Sequence, residues 1–224
     1  MAIIIAAGRG TRWNNYLGRP KHFVEIDGEP IIKRTVRLAR SYTKRLYVVA
    51  SSQDYCISGT SLYVPTATNK TYGADKFLSS EHLWSRSGRT VVLYGDVYFT
   101  EAAMQHIMLY KPRQWALFAR FGASAFTGKQ CGECFAHSFY PEHIHEHTVA
   151  LHAIIKASRQ GKIERCGGWE HYRAMEGLPL REHKRKGRLV DIDDWTEDFD
   201  SPSDYNMWMS LRSVCRKVAA LKAQ

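Results

Sequence analysis

The chemistry that this sequence offers begins with a glycine-rich segment near its start. Gly8 and Gly10 follow the apolar run 2–6, which predicts a buried strand that leads into a loop. Because glycine lacks a Cβ, backbone N–H groups there can approach a polyphosphate closely, and Arg12 can add a bidentate contact. Trp13 stands where a dinucleotide-binding loop would have its third glycine. The segment therefore predicts a phosphate site of another kind, or an ordinary tight turn.

A carboxylate follows a second predicted strand. Asp96 comes directly after Gly95 and the apolar run 90–94. Since ligands of α/β sheets bind outside the carboxyl ends of the strands, we expect the Asp96 side chain to point into a ligand crevice. Its hard oxygens would suit a divalent cation. The simpler alternative is a turn aspartate, which is a common residue beside glycine.

The elements that must position these residues alternate between strand and helix. Short apolar runs predict strands at 2–6, 46–50, 62–64, 90–94, 115–121 and 189–192. Helical spacing of apolar residues predicts helices at 31–39, 74–84 and 142–157, and a last helix opens at Ser201 and Pro202. This alternation favours parallel strands joined by crossover helices, and hence an α/β layered domain.

Length and composition fit one domain. The chain has 224 residues, of which 44% are hydrophobic, enough for a sizeable core. We expect a single domain over 1–224, with a small insertion or lid around 122–147, where glycine, cysteine and histidine accumulate. No apolar run approaches the roughly 18 residues of a membrane span, and five cysteines do not form a secreted disulfide pattern. A cytoplasmic protein without membrane contact is expected, of undetermined oligomeric state.

Positive charge is the main bias of the composition. The formal net charge of +10 favours phosphate-rich partners, which include nucleotides, sugar phosphates and nucleic acid. The densest basic run covers 181–188. It is either a solvated loop or a surface for an anionic acceptor, and nucleic acid is one such acceptor.

Cysteines and histidines between 131 and 147 are a second candidate for metal binding. Cys131, Cys134 and His137 have the types that bind zinc. However, the chain has no second Cys-x-x-Cys pair, and the histidines at 143, 145 and 147 would share one face only on an extended strand. We therefore favour acceptor-pocket or surface roles for these side chains.

Three motifs in order carry a family resemblance. Ala-Ala-Gly-x-Gly-Thr-Arg at 6–12, Pro-Lys at 20–21 and Gly-x-Pro at 28–30 resemble the nucleotidyltransferase superfamily with a GT-A-like fold. That superfamily includes sugar-1-phosphate nucleotidyltransferases and cytidylyltransferases. The resemblance is strong over 2–36 and thins to short motifs beyond. It implies a three-layer α/β/α Rossmann-like domain with a mostly parallel central sheet.

The resemblance also assigns roles to residues of the nucleotide site. It implies that Arg12 and Lys21 neutralise the triphosphate while pyrophosphate leaves, which makes them catalytic together with Asp96. The residues implied to bind the nucleotide are Ala7, Gly8, Gly10, Thr11, Arg12 and, for the base, Asn69 and Gly73.

The same resemblance supplies a partner for Asp96. Asp200 opens a segment, Asp-Ser-Pro-Ser-Asp at 200–204, that resembles the family's Asp-Thr-Pro-Glu-Asp segment with serine in place of threonine; the alternative is a loop whose acids only start the last helix. Asp96 and Asp200 would together bind Mg²⁺ or Mn²⁺. Asp198 could substitute for Asp200, and Asp204 is better explained as a helix cap.

The sequence thus favours a magnesium-dependent nucleotidyltransferase. It would transfer a nucleotidyl group from an NTP to a sugar phosphate or alditol phosphate and release pyrophosphate. The alternative is a GT-A-type glycosyltransferase that uses a nucleotide sugar, with DNA as its acceptor. A catalytically silent nucleotide-binding module is the third interpretation.

Overall fold

The part of the chain that the structure describes contains eleven strands and six α-helices. The structure is a computed structural model that describes residues 1–6, 10–65, 73–182 and 184–222, the last four of these by their backbone only. The strands are β1 Ala2–Ile5, β2 Glu25–Ile26, β3 Glu29–Pro30, β4 Leu46–Val49, β5 Ser61–Tyr63, β6 Thr90–Tyr94, β7 Val97–Tyr98, β8 Ala116–Arg120, β9 Glu133–Phe139, β10 Leu189–Asp191 and β11 Glu197–Asp198. The helices are α1 Ile31–Arg40, α2 Gly73–Ser79, α3 Glu101–Leu109, α4 Ile144–Arg159, α5 Gly168–Met175 and α6 Pro202–Lys222.

Seven of the strands form one central sheet. Their order is β10-β8-β9-β6-β1-β4-β5. The pairs of β1 with β4 and β6, of β4 with β5 and of β10 with β8 are parallel, whereas β9 is antiparallel to both of its neighbours. The expected mostly parallel sheet is confirmed, and β1 lies near its centre.

Helices cover both faces of this sheet. Because side chains alternate along a strand, Ile4 of β1 faces one layer while Ile3 and Ile5 face the other. The Ile4 side is packed by α1 and α3, and the opposite side by α2, α4 and α5. The predicted three-layer α/β/α arrangement is therefore confirmed. Among the described helices, none is both long enough and apolar enough to cross a membrane.

A smaller core supports the loops at one end of the sheet. Trp13, Tyr98, Phe199 and Trp208 are buried together there, so the loop after β1 packs against the start of α6. Ser201 caps α6 as predicted: its Oγ accepts a hydrogen bond from the Asp204 N–H, and Asp204 Oδ2 accepts one from the Ser201 N–H. This reciprocal cap fixes the turn that precedes α6.

The structure differs from the sequence prediction mainly between 122 and 147. Within this segment lies β9, a strand at the middle of the sheet. The sequence did not predict β9, because the buried positions of this strand include His137 and Ser138, which interrupt the apolar run. The predicted helix 74–84 ends earlier, at Ser79, and a 3-10 turn Glu81–Leu83 follows it.

Candidate active site

Three aspartates meet at the carboxyl end of β6. Asp96 lies in the turn between β6 and β7, and the antiparallel pairing of β7 with β11 places Asp198 opposite Val97. Each of Asp96, Asp198 and Asp200 offers one carboxylate oxygen, and these oxygens lie within 4.8 Å of one another. The structure thus brings the two predicted metal ligands together and adds Asp198 to them.

Gly95 allows a close approach at this turn. A Cβ at Gly95 would lie 3.2 Å from both the Cα of Ala6 and the carbonyl oxygen of Ile5, closer than nine in ten real Cβ contacts. The Gly95 N–H donates to that carbonyl oxygen at 3.0 Å. Glycine therefore lets the β6 turn, and with it Asp96, lie directly against the end of β1.

Lys21 connects two of the aspartates. Its Nζ lies 2.5 Å from Asp96 Oδ2 and 3.2 Å from Asp200 Oδ1, and its side chain is only 8% exposed. Burial alone would lower the pKa of Lys21, but the surrounding carboxylates outweigh burial and hold this pKa above its ordinary value. The ammonium group is therefore charged at neutral pH, as a phosphate-binding lysine must be.

A buried neighbour fixes the backbone turn that carries Lys21. His22 is 4% exposed, and its Nδ1 lies 2.9 Å from the hydroxyl oxygen of Tyr55. Lys21 and His22 belong to the 3-10 turn Lys21–Phe23, whose start is set by Pro20. Packing thus holds the Lys21 side chain in position.

Arg12 lies at the outer edge of the site. Its guanidinium donates to Asp200 Oδ2 at 2.6 Å, and its side chain is 62% exposed. An exposed ion pair of this kind contributes little to stability, because water competes for both partners. Arg12 can therefore exchange its partner for a phosphate group at low cost.

The carboxyl groups of Asp198 and Asp200 differ in their electrostatics. Burial and the neighbouring aspartates raise the pKa of Asp198 well above its usual range. Burial alone would also raise the pKa of Asp200, but the positive charges of Lys21, Lys129 and Arg12 outweigh burial and lower this pKa. Asp198 Oδ1 is buried and has no hydrogen-bond partner.

This donor set fits a hard divalent cation. Mg²⁺ and Mn²⁺ take carboxylate oxygens as ligands, usually one or two from protein together with substrate phosphates and water. A buried carboxylate oxygen without a partner, beside two other carboxylates, is a feature that such an ion would compensate. Asp96, Asp198 and Asp200 are thus the residues that would bind the metal.

Lys129 is a second cation beside the aspartates, with a side chain only 14% exposed, and it was not predicted from the sequence. Its Nζ lies 3.1 Å from Glu133 Oε1, 3.7 Å from Asp204 Oδ2 and 3.8 Å from Asp198 Oδ2. Although Lys129 follows a glycine, the segment lacks the spacing of a P-loop, and nothing in the sequence brings it near Asp198. Only the folded arrangement of β8, β9 and β11 does so.

Several predicted nucleotide-binding residues cannot be placed. Ala7, Gly8 and Asn69 lie outside the described residues. Gly10 has a φ of +62°, in the left-handed region that favours glycine, and Thr11 beside it is exposed. Gly73 is the first residue of α2.

Lys76, also absent from the sequence-based set, connects α2 to the end of β1. It is 7% exposed, and its Nζ donates to the carbonyl oxygen of Ala6 at 3.0 Å. This contact lies at the point where the glycine-rich segment begins.

The three side chains considered for zinc do not come together as a metal site. Cys131 is exposed, whereas burial raises the pKa of the Cys134 thiol well above its ordinary value and so disfavours the thiolate that zinc requires. His137 Nε2 lies 3.1 Å from the Tyr94 hydroxyl oxygen. Across the described ranges, the aspartate cluster is the one group of three or more histidine, cysteine, aspartate or glutamate residues whose ligand atoms converge.

The basic run 181–188 engages the protein itself at several points. Lys184 pairs with Glu182 at 2.6 Å, Arg185 lies over the ring of Phe121, and Arg188 lies over that of Trp115. For the described residues of this run, these contacts are typical of an ordinary solvated loop and do not favour a nucleic-acid surface.

Comparison with known proteins identifies the family. Residues 2–152 match the MobA-like NTP transferase domain, and the chain belongs to that family. A curated relative, the bifunctional protein GlmU of Chromobacterium violaceum, is 35% identical over 111 residues, which cover 45% of this chain and 23% of that protein. The match therefore spans about a quarter of the length of this relative.

Solved structures share the fold at low identity. The CTP:phosphocholine cytidylyltransferase from Streptococcus pneumoniae has a TM-score of 0.60 and 13% identity, over 94% of this chain and 98% of that chain. The inositol-1-phosphate CTP transferase from T. maritima has a TM-score of 0.56 and 16% identity, over 93% and 94%. The predicted nucleotidyltransferase fold is confirmed, and the family supports the assignment as a nucleotidyltransferase over the glycosyltransferase alternative.

Proposed function

We propose that this nucleotidyltransferase transfers a nucleotidyl group from an NTP to a sugar phosphate or alditol phosphate, with a divalent cation at the aspartates. The observation that carries the proposal is the position of Lys21 between Asp96 and Asp200. A buried ammonium beside a cation-binding carboxylate cluster provides positive charge at one place, as a triphosphate requires.

In the proposed reaction, a phosphate oxygen of the acceptor attacks the α-phosphorus of the NTP. The bond from the α-phosphorus to the bridging oxygen breaks as the new P–O bond forms, and pyrophosphate leaves with the electron pair. Positioning and charge neutralisation provide most of the catalysis in phosphoryl-type transfer, and no covalent enzyme intermediate is needed. When bound, Mg²⁺ or Mn²⁺ would neutralise phosphate oxygens and help align the reactants.

Individual side chains would divide this work. Lys21, which the fold already holds in place, donates to the phosphate oxygens that gain charge. Arg12 leaves Asp200 and binds the outer phosphates, because its exposed guanidinium can turn toward solvent at low cost. Asp96, Asp198 and Asp200 would hold the cation. Gly10 and Thr11 belong to the loop proposed to contact the nucleotide.

The test is to incubate the protein and Mg²⁺ with all four NTPs, a set of nucleotide sugars, and a panel of sugar phosphates and alditol phosphates. Pyrophosphate release is measured, and products are identified by mass spectrometry. We expect one NTP to be consumed together with one acceptor, with equimolar pyrophosphate and a product in which a nucleoside diphosphate is joined to the sugar or alditol. Asp96→Asn is the matched inactive control, since it removes a charge and little volume. Consumption of a nucleotide sugar without pyrophosphate would refute the proposal and favour glycosyl transfer.

A further inference from the structure

Lys129 lies in the loop between β8 and β9, at the inner side of the turn that carries two of the aspartates. Its Nζ donates to the main-chain carbonyl oxygen of Asp198 at 2.8 Å. We propose that Lys129 is a positioning residue that holds the turn 198–201 in the geometry that binds the divalent cation. This inference rests on the proposed function, because it takes the aspartates as the cation site.

Lys129 contacts the start of this turn and the residue of α6 that caps it. One contact is the carbonyl oxygen of Asp198, at the start of the turn. The other is Asp204 Oδ2, at 3.7 Å, which itself accepts hydrogen bonds from the N–H groups of Asp200 and Ser201 at 3.1 and 2.9 Å. Through Asp204, the ammonium group therefore also acts on the backbone position of Asp200.

The loop that carries Lys129 is itself fixed. The Lys129 carbonyl oxygen accepts from the Ser124 N–H at 2.7 Å, and the hydroxyl groups of Ser124 and Thr127 donate to the buried carboxylate of Glu197. Gly128 has a φ of +69°, which a residue with a side chain would adopt only with strain. A lysine on a fixed loop can hold a neighbouring turn in place, whereas a lysine on an unconstrained loop would move together with the turn.

Lys129 remains charged where it lies. Burial lowers its pKa, but the surrounding carboxylates, first Asp198 and then Glu133, outweigh burial and raise the pKa above its ordinary value. A charge 3.8 Å from Asp198 Oδ2 should, by electrostatics alone, repel a metal ion and weaken its binding. A positioning role predicts the opposite, since loss of Lys129 would release the turn.

The experiment measures Mn²⁺ binding to the full chain by electron paramagnetic resonance, without nucleotide. The variants are Lys129→Met, Lys129→Arg and, as the matched control, Lys111→Met, which changes an exposed lysine. We expect Lys129→Met to raise the Mn²⁺ Kd about 10- to 100-fold, the usual cost of removing a group that orients metal ligands. Lys129→Arg keeps a cation that can reach the carbonyl oxygen and should restore most of the affinity, and Lys111→Met should have no effect.

Two results would overturn the inference. Tighter Mn²⁺ binding in Lys129→Met would show that Lys129 competes with the metal. Unchanged Mn²⁺ binding with a lower Tm would show that its role is in stability alone. Should Lys129→Met not fold, Lys129→Gln, which keeps a polar end group, is measured instead, with the same expected sign.

The proposed function fails separately from this inference. Normal Mn²⁺ binding by the parent protein, weakened in Lys129→Met, together with no pyrophosphate release from any NTP, would refute the transfer reaction and leave the role of Lys129 intact. Pyrophosphate release with equal Mn²⁺ Kd values in the parent protein and Lys129→Met would support the transfer reaction and refute the positioning role of Lys129.

Discussion

Glu197 and Asp198 are adjacent in the chain, and their surroundings are opposite, although the first side chain is fully buried and the second is only 13% exposed. Glu197 is fully buried and receives two hydrogen bonds from Arg120, at 2.8 and 2.9 Å, besides those from Ser124 and Thr127. Asp198 has a buried oxygen without a partner and two further aspartates beside it. Because side chains alternate along β11, one residue turns toward the paired network and the other toward the aspartates.

The difference separates acids that stabilise the fold from acids that act in the site. A buried charge with its hydrogen bonds complete belongs to the folded framework, and removing one partner is costly. A buried charge left incomplete is a cost that the folded protein carries until a ligand compensates it. The predictions below test this separation, from the largest expected effect to the smallest.

Glu197→Gln should have the largest effect, on stability. Without the carboxylate, Arg120 remains buried without a counter-charge, which costs about 3–5 kcal/mol in the free energy of unfolding. Chemical denaturation of parent and variant measures this loss. A loss below about 1 kcal/mol would remove the distinction between the two acids.

Asp198→Asn should act on catalysis instead. The amide keeps the shape of the side chain and removes a charge that burial and Asp200 disfavour, so we expect the Tm to stay the same or rise. Pyrophosphate release should fall by about 10²–10³-fold, as when other single groups that stabilise transition-state charge are removed. A variant that unfolds as readily as Glu197→Gln would contradict this account.

A buried neutral side chain, that of His137, extends the comparison. His137 is fully buried, and burial lowers its pKa to about 3. The unfolded chain, with a histidine pKa near 6.5, takes up this proton first as the pH falls. The stabilisation is therefore complete above about pH 6.5 and is lost progressively toward pH 3.

This loss should amount to about 2–3 kcal/mol between pH 6.5 and 4.5 from His137 alone. Denaturation of the parent and of His137→Phe across this range isolates the contribution, because the variant lacks this titration. Parallel pH profiles for the two proteins would show that His137 does not titrate in this way.

Arg12→Ala should have the smallest effect. Its ion pair with Asp200 is exposed, so the free energy of unfolding should change by less than about 1 kcal/mol. Loss of one charge-assisted contact to phosphate, worth about 1.5 kcal/mol, should raise the KM for the NTP roughly tenfold. Arg19→Ala, which breaks another exposed ion pair, is the control, and equal KM values for the two variants would exclude Arg12 from the phosphate site.

The sequence by itself determined the layered α/β fold and indicated two residues of the candidate site. Apolar runs of strand length alternate with helical spacing, and this local pattern was sufficient for β1, β4, β6, α1 and α4. Asp96 and Lys21 could be predicted because each belongs to a short motif, Gly-Asp or Pro-Lys, that is visible in the local sequence.

Only the tertiary structure decided which charges meet. The sheet order places the end of β6 against β1, and the β7–β11 pairing brings Asp198 and Asp200 to Asp96 across more than 100 residues. Lys129 and β9 could not be predicted, since the strand contains buried polar residues and the lysine contacts Asp198 and Asp204, which lie far from it in the chain. Electrostatic interactions depend on distance in space, which local sequence patterns do not encode.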